Sequence, residues 1–392
     1  MYRIVGWALV TATLCACGTA GSPFYKDKNW DKHQPSFSSN IEHTLWLIGD
    51  TGELDDVIEK RNFTVEGMAS IMDLNDESST TVFLGDNVYP HGLPPEGAED
   101  RSMGEAIVES QLLPIQHYKG KTFFIPGNHD WNKHKSGGRD AMLRQEAYIE
   151  EFFPNQSSIE VVPDNACGGP YVYEVNNGLV YIMIDSQWWM HDWSLEKNMN
   201  QGCEVKSRES LLERVEEVMV TYNKAQIVFM LHHPIKTNGA HGGKYSWKDH
   251  IFPLAHYKVW LPLPIIGSLY PIVLKARTSP QDATHEFNQD LIFSLRNLAI
   301  KYDLNCVFAS GHEHGLQYFE EGKIKYVVSG AGGKTDYIQQ GGEALYARSQ
   351  RGFVKIEFYE NQESWLYYYT VGGRDGVPKL EFRKQLRKPT RL

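Results

Sequence analysis

The fold of this chain is decided by residues 80–92, which read TTVFLGDNVYPHG. The first half is a short β-branched and apolar run, typical of a buried strand, and it stops abruptly at Gly85. Asp86 and Tyr89 then place a carboxylate and a phenol directly after the strand. An aspartate in that position usually belongs to a turn. The rest of the chain decides whether it is a metal ligand instead.

The same pattern recurs along the chain, because short apolar runs repeatedly end in polar clusters. These runs are HTLWLI before GDTG (49–52), TFFIP before GNHD (127–130), LVYIMI before Asp185, AQIVFML before His232-His233-Pro234, NCVFAS before GHEH (311–314) and IKYVV before SGAGG (329–333). Helix-like patterns lie between them, around 62–74, 101–116, 140–153, 207–223 and 280–302. Strands that alternate with helices predict an α/β fold, in which ligand sites gather beyond the carboxyl ends of the strands.

The last of these helices has a start signal in its sequence. Ser279 is a suitable cap, Pro280 suits the first helical position, and Asp282 can complete the cap. We therefore expect the helix to begin at residue 280.

Composition and charge narrow the class of protein. The chain has 392 residues, 41% of them hydrophobic, which is ordinary for a globular protein. Its formal net charge is -10, and nucleic-acid-binding proteins usually carry a basic face. We therefore expect no nucleic-acid binding.

The N-terminus predicts export. Arg3 precedes a short apolar stretch that is too short to span a bilayer, as in secretory signals. The stretch ends in Leu-Cys-Ala-Cys at 14–17, which resembles a bacterial lipobox. Residues 1–16 would then be a lipoprotein signal peptide, and acylated Cys17 would anchor the protein to a bacterial membrane of the cell envelope, the outer membrane in particular. The alternative is an ordinary secretory signal that is cut nearby.

Three other cysteines occur, at 167, 203 and 306. Cys306 lies in an apolar run and is expected to be a buried thiol. Cys167 and Cys203 lie in loop-like sequence, and in an oxidising compartment they are the expected disulfide pair. Two free loop thiols are the alternative.

The polar residues after the strands form a set with metal-binding chemistry. The candidate ligands are Asp50, Asp86, Tyr89, Asn128, His232, His312 and His314. Each alone has an ordinary explanation in a turn, on the surface or in the core, but several strands that end in such a set are not explained by turn chemistry. A carboxylate can bridge two metal ions, neutral His and Asn ligands limit the total charge, and a phenolate favours a hard ion such as Fe(III).

GDTG, GDNVY (85–89), GNHD, HHP (232–234) and GHEH resemble, in order, the five blocks of the calcineurin-like metallophosphoesterases. The tyrosine in GDNVY resembles the purple acid phosphatase branch of that superfamily. The blocks run from Asp50 to His314 and so cover most of the chain. The resemblance implies a sandwich of two mixed β-sheets flanked by helices.

The resemblance also implies a role for each ligand. Asp86 would bridge two metal ions. A trivalent iron would be held in addition by Asp50, Tyr89 and His314. A divalent partner, which would be iron, zinc or manganese, would be held by Asn128, His232 and His312. His233 is the competing ligand in the fourth block, but alignment on Pro234 favours His232.

Two histidines match the outer positions of the family, which contact substrate instead of metal. His129 would contact the phosphate or protonate the leaving oxygen. His241 lies nine residues after His232 in a glycine-rich stretch, GAHGG, and matches a second outer histidine in the branch of small enzymes.

The domain prediction follows from these blocks. We expect a linker at 17–40, one catalytic domain at 41–370 with insertions at about 186–206 and 250–278, and a basic, solvated tail at 371–392.

The first insertion contains three tryptophans. They either line a substrate rim or pack over the edge of the core: Trp188, Trp189 and Trp193. The apolar stretch 257–274 is interpreted as a lid, with membrane contact as the alternative. GGKT at 332–335 is not a phosphate-binding loop, since that pattern needs glycine where Val328 stands.

The function implied by the resemblance is hydrolysis of phosphate monoesters by a metal-bound hydroxide. A phosphodiesterase, a nucleotidase or a phospholipid-headgroup hydrolase is an alternative on the same site. A subunit of an envelope assembly that retains the fold, with protein partners there, is the alternative from another class.

Overall fold

The protein forms a sandwich of two mixed β-sheets flanked by helices, in a computed structural model that describes residues 22–36, 39–153, 158–244, 251, 279–373 and 376–389. The predicted fold class is confirmed. Within the described residues the strands are β1 (Phe24–Tyr25), β2 (Ile41–Ile48), β3 (Ser79–Phe83), β4 (Lys121–Phe124), β5 (Ile159–Val161), β6 (Tyr171–Asn176), β7 (Leu179–Met183), β8 (Gln226–Met230), β9 (Cys306–Ser310), β10 (Leu316–Glu321), β11 (Ile324–Ser329), β12 (Tyr346–Arg348), β13 (Gly352–Tyr359), β14 (Ser364–Val371) and β15 (Pro378–Arg387). The α-helices there are α1 (Phe63–Ile71), α2 (Arg101–Leu112), α3 (Gly138–Glu151), α4 (Ser186–Met190), α5 (Arg208–Thr221) and α6 (Glu286–Lys301).

The first sheet has a parallel centre and antiparallel edges, whereas the second is antiparallel from β15 to β2 and parallel from β2 to its other edge at β5. One sheet has the order β1-β12-β10-β11-β9-β8-β7-β6, and the other has the order β15-β14-β13-β2-β3-β4-β5. Neighbours are parallel from β2 to β5 and among β7, β8, β9 and β11. Because parallel strands end at the same edge, the polar clusters that follow them are brought to one side of the sandwich.

The sequence pattern of the central strands explains the layers. In β2, Leu45 and Leu47 belong to the core between the sheets, whereas Trp46 and Ile48 belong to the cluster under the helices. Successive side chains of a strand point to opposite faces, so both faces of such a strand must be apolar. This is why the central strands are continuous apolar runs.

The predicted start of the last long helix is wrong. Helix α6 begins at Glu286, after the cap residue His285, and not at residue 280. Ser279 and Asp282 close a separate turn instead, in which the Ser279 N–H donates to Asp282 Oδ2 at 2.8 Å. The carboxylate of Asp282 is thereby held next to the functional site.

The predicted solvated tail at 371–392 is also wrong for the residues that are described. β15 pairs antiparallel with β14, and Phe382 and Leu386 are buried in the core between the sheets. Alternating apolar residues turn this basic stretch into an edge strand, with its charged side chains between the buried positions. The tail prediction gave weight to the charge and overlooked the alternation.

The predicted linker at 17–40 contains ordered structure. β1 pairs with β12, and the ring of Tyr25 stacks on those of Tyr346 and Phe382. Phe24 and Tyr25 therefore form an edge strand of the first sheet, and Trp30 packs on Phe382 of β15. Cys17 lies outside the described residues.

Part of the predicted insertion at 186–206 belongs to the core. Trp188 and Trp189 on α4 are buried, at 0% and 4% exposure, so they do not line a substrate rim. Trp193 packs over Trp188, with ring centroids 4.7 Å apart. Of the second predicted insertion, 250–278, the structure describes only Ile251, so the apolar stretch 257–274 lies outside the described residues.

Candidate metal centre

The predicted ligands converge at the carboxyl edge of both sheets. They come from the loops after β2, β3, β4, β8 and β9, and all seven are brought together. Asp50, Asp86 and His312 all have left-handed backbones, with φ of 59°, 54° and 66°. Non-glycine residues rarely adopt this conformation, and its recurrence after three separate strands is typical of a functional site.

Glycines allow the loops to approach one another closely. A Cβ atom at Gly85 would lie 2.6 Å from His232 Nδ1, and one at Gly127 would lie 2.3 Å from Asp86 Oδ1. Any larger residue at either position would push a ligand away, which explains the glycine that precedes these clusters.

One part of the cluster, the oxygen-rich half, consists of Asp50, Tyr89 and His314. The Tyr89 hydroxyl donates to Asp50 Oδ1 at 3.0 Å and lies 3.3 Å from His314 Nε2. Behind His314, the carboxylate of Asp336 hydrogen-bonds to Nδ1. A carboxylate behind an imidazole orients the ring and makes its other nitrogen a better metal ligand.

The other part, the nitrogen-rich half, consists of Asn128, His232 and His312. His232 Nε2 lies 3.1 Å from Asn128 Oδ1 and 3.2 Å from His312 Nδ1. His232 Nδ1 donates to the Leu84 carbonyl at 2.7 Å, which leaves Nε2 as the atom that faces the cluster.

Asp86 lies between the two halves. Its Oδ1 accepts the His129 N–H at 2.8 Å and lies 3.4 Å from His232 Nε2. Ligand atoms of Asp50, Asp86 and His232 all lie within 4.8 Å of one another. The carboxylate therefore reaches both halves, as a bridging ligand must.

The electrostatics of the cluster favour a bound cation. Burial raises the pKa of the Tyr89 phenol, and the carboxylates of Asp50 and Asp86 raise it further. Burial opposes ionisation of Asp86, but His232 and His129 outweigh it and hold the pKa of that carboxyl well below its usual range. Burial also lowers the pKa of His312, so this ring is neutral and able to bind a metal. A phenolate at Tyr89 needs positive charge nearby, and a metal ion supplies it.

The donor set fits two metal ions. Buried carboxylate, phenol, amide and imidazole groups face one another, and they are the ligand types that hard and borderline cations bind. His312 Nε2 is buried and has no hydrogen-bond partner among the described residues. The His/Asp cluster therefore has the chemistry of a metal site, and the contacts among its ligands divide it into two halves that share Asp86.

His233, the competing ligand, lies behind the cluster. Its backbone N–H donates to Ser186 Oγ at 3.1 Å, and that oxygen lies 2.8 Å from His233 Nδ1. Its ring is 4.4 Å from that of His312, and its nitrogens are close enough to those of His232 and His312 to share an ion. Only His232 also contacts Asp86 and Asn128, which favours His232 as the ligand.

The predicted outer histidines lie beside the ligands. His129 Nδ1 donates to the Pro90 carbonyl at 2.7 Å, and His129 Nε2 lies 3.9 Å from Asp86 Oδ2. The ring of His241 lies 4.1 Å from that of His312, measured between centroids. Both histidines therefore border the cluster and remain partly exposed, at 15% and 34% of the side chain.

His241 is held by several contacts, although it lies in the glycine-rich stretch GAHGG. It lies in a 3₁₀ helix, Ala240–Gly242, and its Nδ1 lies 2.9 Å from Asp282 Oδ1. The Ala283 N–H donates to the His241 carbonyl at 2.9 Å, and the Gly242 N–H donates to Glu313 Oε1 at 3.2 Å. Burial favours the neutral ring, but the hydrogen bond to Asp282 and the charges of Glu313 and Asp282 together outweigh it and raise the pKa of His241.

Sequence reasoning missed the residues that hold the ligands in place. The buried carboxylate of Asp130 accepts backbone N–H groups from Asn87, Val88 and Gly127, at 2.9, 3.1 and 2.7 Å. It thus joins the loop of Asp86 to the loop of Asn128. Its place in GNHD was a usable signal, whereas nothing in the sequence marks Asp336 or Asp282 as partners of histidines.

The predicted disulfide and the predicted buried thiol are both confirmed. Cys167 and Cys203 form a disulfide, with Cα atoms 5.5 Å apart. Cys306 is a buried free thiol, and burial raises the pKa of that thiol to about 12.

Comparison with solved structures shows the same fold in other proteins. GAP50 of Plasmodium, described as the anchor in the inner membrane complex, is 14% identical, and the match covers 90% of each chain with a TM-score of 0.53. The purple acid phosphatase PPD1 from yellow lupin (Lupinus luteus) seeds is 13% identical, with a TM-score of 0.50. That match covers 88% of this chain and 54% of the lupin enzyme.

Sequence comparison identifies the family. No curated protein sequence matches the chain significantly. The family model for calcineurin-like phosphoesterases matches residues 43–316, which include all seven predicted ligands. The chain therefore belongs to the calcineurin-like phosphoesterase family.

Proposed function

We propose that this protein is a binuclear metal-dependent phosphatase that hydrolyses phosphate monoesters. The observation that supports this most directly is the sharing of Asp86 by two sets of ligands, with atoms of Asp50, Asp86 and His232 within 4.8 Å of one another. A carboxylate between two ligand sets is what a pair of ions about 3.5–4 Å apart requires.

The two halves differ in ligand chemistry, and we assign the metals accordingly. Fe(III) is proposed for the oxygen-rich half, because phenolate and carboxylate are hard ligands. A divalent ion, iron, zinc or manganese, is proposed for the nitrogen-rich half. When bound, such ions act as Lewis acids on phosphoryl oxygens and lower the pKa of water.

The protein side chains supply orientation and a proton. His129 Nδ1 donates to the Pro90 carbonyl, which fixes the ring and leaves Nε2 directed toward Asp86. We assign to His129 Nε2 contact with the phosphate and protonation of the leaving oxygen. His241, fixed by Asp282, is assigned to a phosphate oxygen on the side of His312.

The test combines metal analysis, visible spectroscopy and a substrate panel on the purified protein. We expect two metal ions per chain, a visible charge-transfer band from the iron phenolate, and faster turnover of phosphate monoesters than of diesters. Replacing Tyr89→Phe should abolish the band and leave the fold intact. An iron-replete but colourless protein would refute the binding of Fe(III) by a Tyr89 phenolate. Preference for diesters would favour a phosphodiesterase, nucleotidase or headgroup hydrolase instead.

We further propose export and attachment to a bacterial cell envelope through acylated Cys17. No helix in the described part of the chain is long and apolar enough to cross a membrane. Cys17→Ala should move the protein from the membrane fraction to the soluble fraction, because the acyl chains would supply the attachment. Continued membrane association after a carbonate wash would contradict this and would direct attention to residues 257–274.

A role in an envelope assembly is the second candidate, because the fold is shared with GAP50, which is described as an anchor of a membrane complex. Such a scaffold has no need of seven converging ligands. A protein that binds no metal and turns over no phosphoester, yet is recovered in a complex, would favour this candidate over the phosphatase.

A further inference from the structure

Lys334 lies over the aromatic ring of the predicted ligand Tyr89. It follows β11 in the stretch SGAGGK, at 329–334, and its Nζ is 3.7 Å from the centroid of the Tyr89 ring. A cation is attracted to the face of an aromatic ring within about 6 Å of its centroid. The Lys334 side chain is half-buried, so salt screens this attraction less than at an exposed site. Lys334 therefore brings a positive charge to the phenol of the oxygen-rich half.

The turn that carries Lys334 is fixed to the two loops that carry the other ligands of this half. On one side of Lys334, the Gly332 N–H donates to the Gly49 carbonyl at 2.9 Å, in the loop after β2. On the other side, the Asp336 N–H donates to the His314 carbonyl at 2.9 Å. Two backbone hydrogen bonds thus bracket Lys334 and fix the backbone from which its side chain extends.

Two glycines allow this turn to approach the metal centre closely. A Cβ atom at Gly332 would lie 2.6 Å from the Gly49 carbonyl oxygen, and one at Gly333 would lie 2.7 Å from the Asp50 carbonyl oxygen. A side chain at either position would push the turn away from the loop of Asp50. The GGK stretch, which is not a phosphate-binding loop, therefore has a place in the oxygen-rich half.

The charge of Lys334 is not neutralised by an ion pair in the described part of the chain. The ion pairs of lysine side chains found there belong to other lysines. Asp336 lies two residues away, and its carboxylate hydrogen-bonds to His314 Nδ1. The Tyr89 hydroxyl donates to Asp50 Oδ1. The phenol therefore contacts a carboxylate at its oxygen and an ammonium group over its face.

A cation over the ring acts on the electrons that a phenolate shares with a metal ion. The negative charge of a phenolate spreads into its ring, so a positive charge over the face attracts it and makes it a weaker electron donor. A metal ion that receives less charge from its ligand is a stronger Lewis acid toward a phosphoryl oxygen. Such an ion is also reduced more readily, since the nearby positive charge stabilises the added electron.

We propose that the charge of Lys334, held over Tyr89, weakens electron donation from the metal-bound phenolate and so makes the ion of the oxygen-rich half a stronger Lewis acid. Lys334 acts through Tyr89 and not on the substrate, so it is a positioning residue. The inference rests on the proposed binding of Fe(III) by Tyr89, and it adds a residue that sets the properties of that ion.

The test measures the charge-transfer band and the Fe(III)/Fe(II) potential of the iron-loaded protein. Lys334→Gln should move the band to longer wavelength, because an electron leaves the phenolate more easily without the cation. It should also lower the equilibrium constant for reduction of the iron roughly tenfold, the scale of one such contact, which is about 59 mV for one electron. Lys334→Arg should keep both values of the unaltered protein, since a guanidinium group also stacks on aromatic faces.

Two further variants make the result specific to the charge and to its place. Lys334→Met is neutral and of similar length, so it should shift the band and the potential as far as Lys334→Gln does. Lys119→Gln removes an exposed lysine on the loop before β4, at the opposite edge of the sheet, and should shift neither. Iron content is measured in each variant, and the spectra are compared per bound iron, so that loss of metal is not read as a shift.

The outcomes separate this inference from the function beneath it. Absence of the band from the unaltered, iron-loaded protein would overturn the iron phenolate and the inference with it. A band that is present but stays in place in Lys334→Gln and Lys334→Met would overturn the inference alone. A rise in KM for a phosphate monoester in those two variants would then assign Lys334 to the substrate. An equal shift in Lys119→Gln would also refute the inference, and the spectroscopic result decides it even if the protein turns over no phosphoester.

Discussion

The two halves of the metal centre differ in the atoms they offer and in what lies behind them. The oxygen-rich half presents a carboxylate and a phenol, and its histidine is backed by the Asp336 carboxylate. The nitrogen-rich half presents two imidazoles and an amide, and its His312 has no hydrogen-bond partner for Nε2 among the described residues. One set of loops can therefore offer harder oxygen ligands on one side and softer nitrogen ligands on the other, with one carboxylate between them.

The largest effect is expected when the shared residue is removed. Asp86→Ala should lose metal from both halves and abolish phosphatase activity, because no other carboxylate among the predicted ligands lies between the halves. Metal analysis after gel filtration, with activity on a phosphate monoester, measures this. Retention of one full equivalent of metal would show that one half is complete without Asp86. The claim that both halves depend on a shared carboxylate would then be wrong.

The next largest effect is expected from a residue that belongs to neither half. His129→Ala should keep both metals, while kcat falls by roughly 10²–10⁴, the usual scale for a positioned acid or base. His129 Nε2 lies 3.9 Å from the bridging carboxylate, close to where the reacting phosphate would bind. Loss of a metal ion, or full activity, in this variant would refute the assignment.

Whether a residue of the site could be predicted from the sequence depends on how far along the chain it lies from the residue that it contacts. The ligands were found because each follows a strand within a short motif, such as GDNVY, and those motifs depend on local turns. Asp336 and Asp282 were missed because they meet His314 and His241 only in the tertiary structure, across 22 and 41 residues. β15 was missed for a different reason: it pairs with β14, its neighbour in sequence, and its alternating apolar residues are visible in the sequence, but the prediction gave more weight to its basic charge.

A smaller effect should follow when the support behind one half is removed. Asp336→Ala removes the carboxylate behind His314 and should weaken metal binding in the oxygen-rich half by roughly 10–100-fold, the usual cost of losing such a partner. Binding in the nitrogen-rich half should not change. Competition with a chelator, read separately for iron and for the divalent ion, measures both. Equal weakening of both ions would show that the halves are not independent.

The smallest effect is expected at His241, which lies outside both halves but rests on the nitrogen-rich one. Asp282→Ala removes the oxygen that lies 2.9 Å from His241 Nδ1, so the ring loses its fixed orientation while the metals stay bound. We expect kcat to fall by less than in His129→Ala, and by about as much as in His241→Ala. The double variant should lose no more than either single variant, since the effects of residues that act through one contact are not additive.

Asp282→Asn, whose amide oxygen can still accept from Nδ1, should recover most of the loss. Asp290→Ala, an exposed carboxylate on α6, is the matched control and should leave kcat and KM unchanged. Additive losses in the double variant would mean that Asp282 acts through the turn with Ser279 and not through His241.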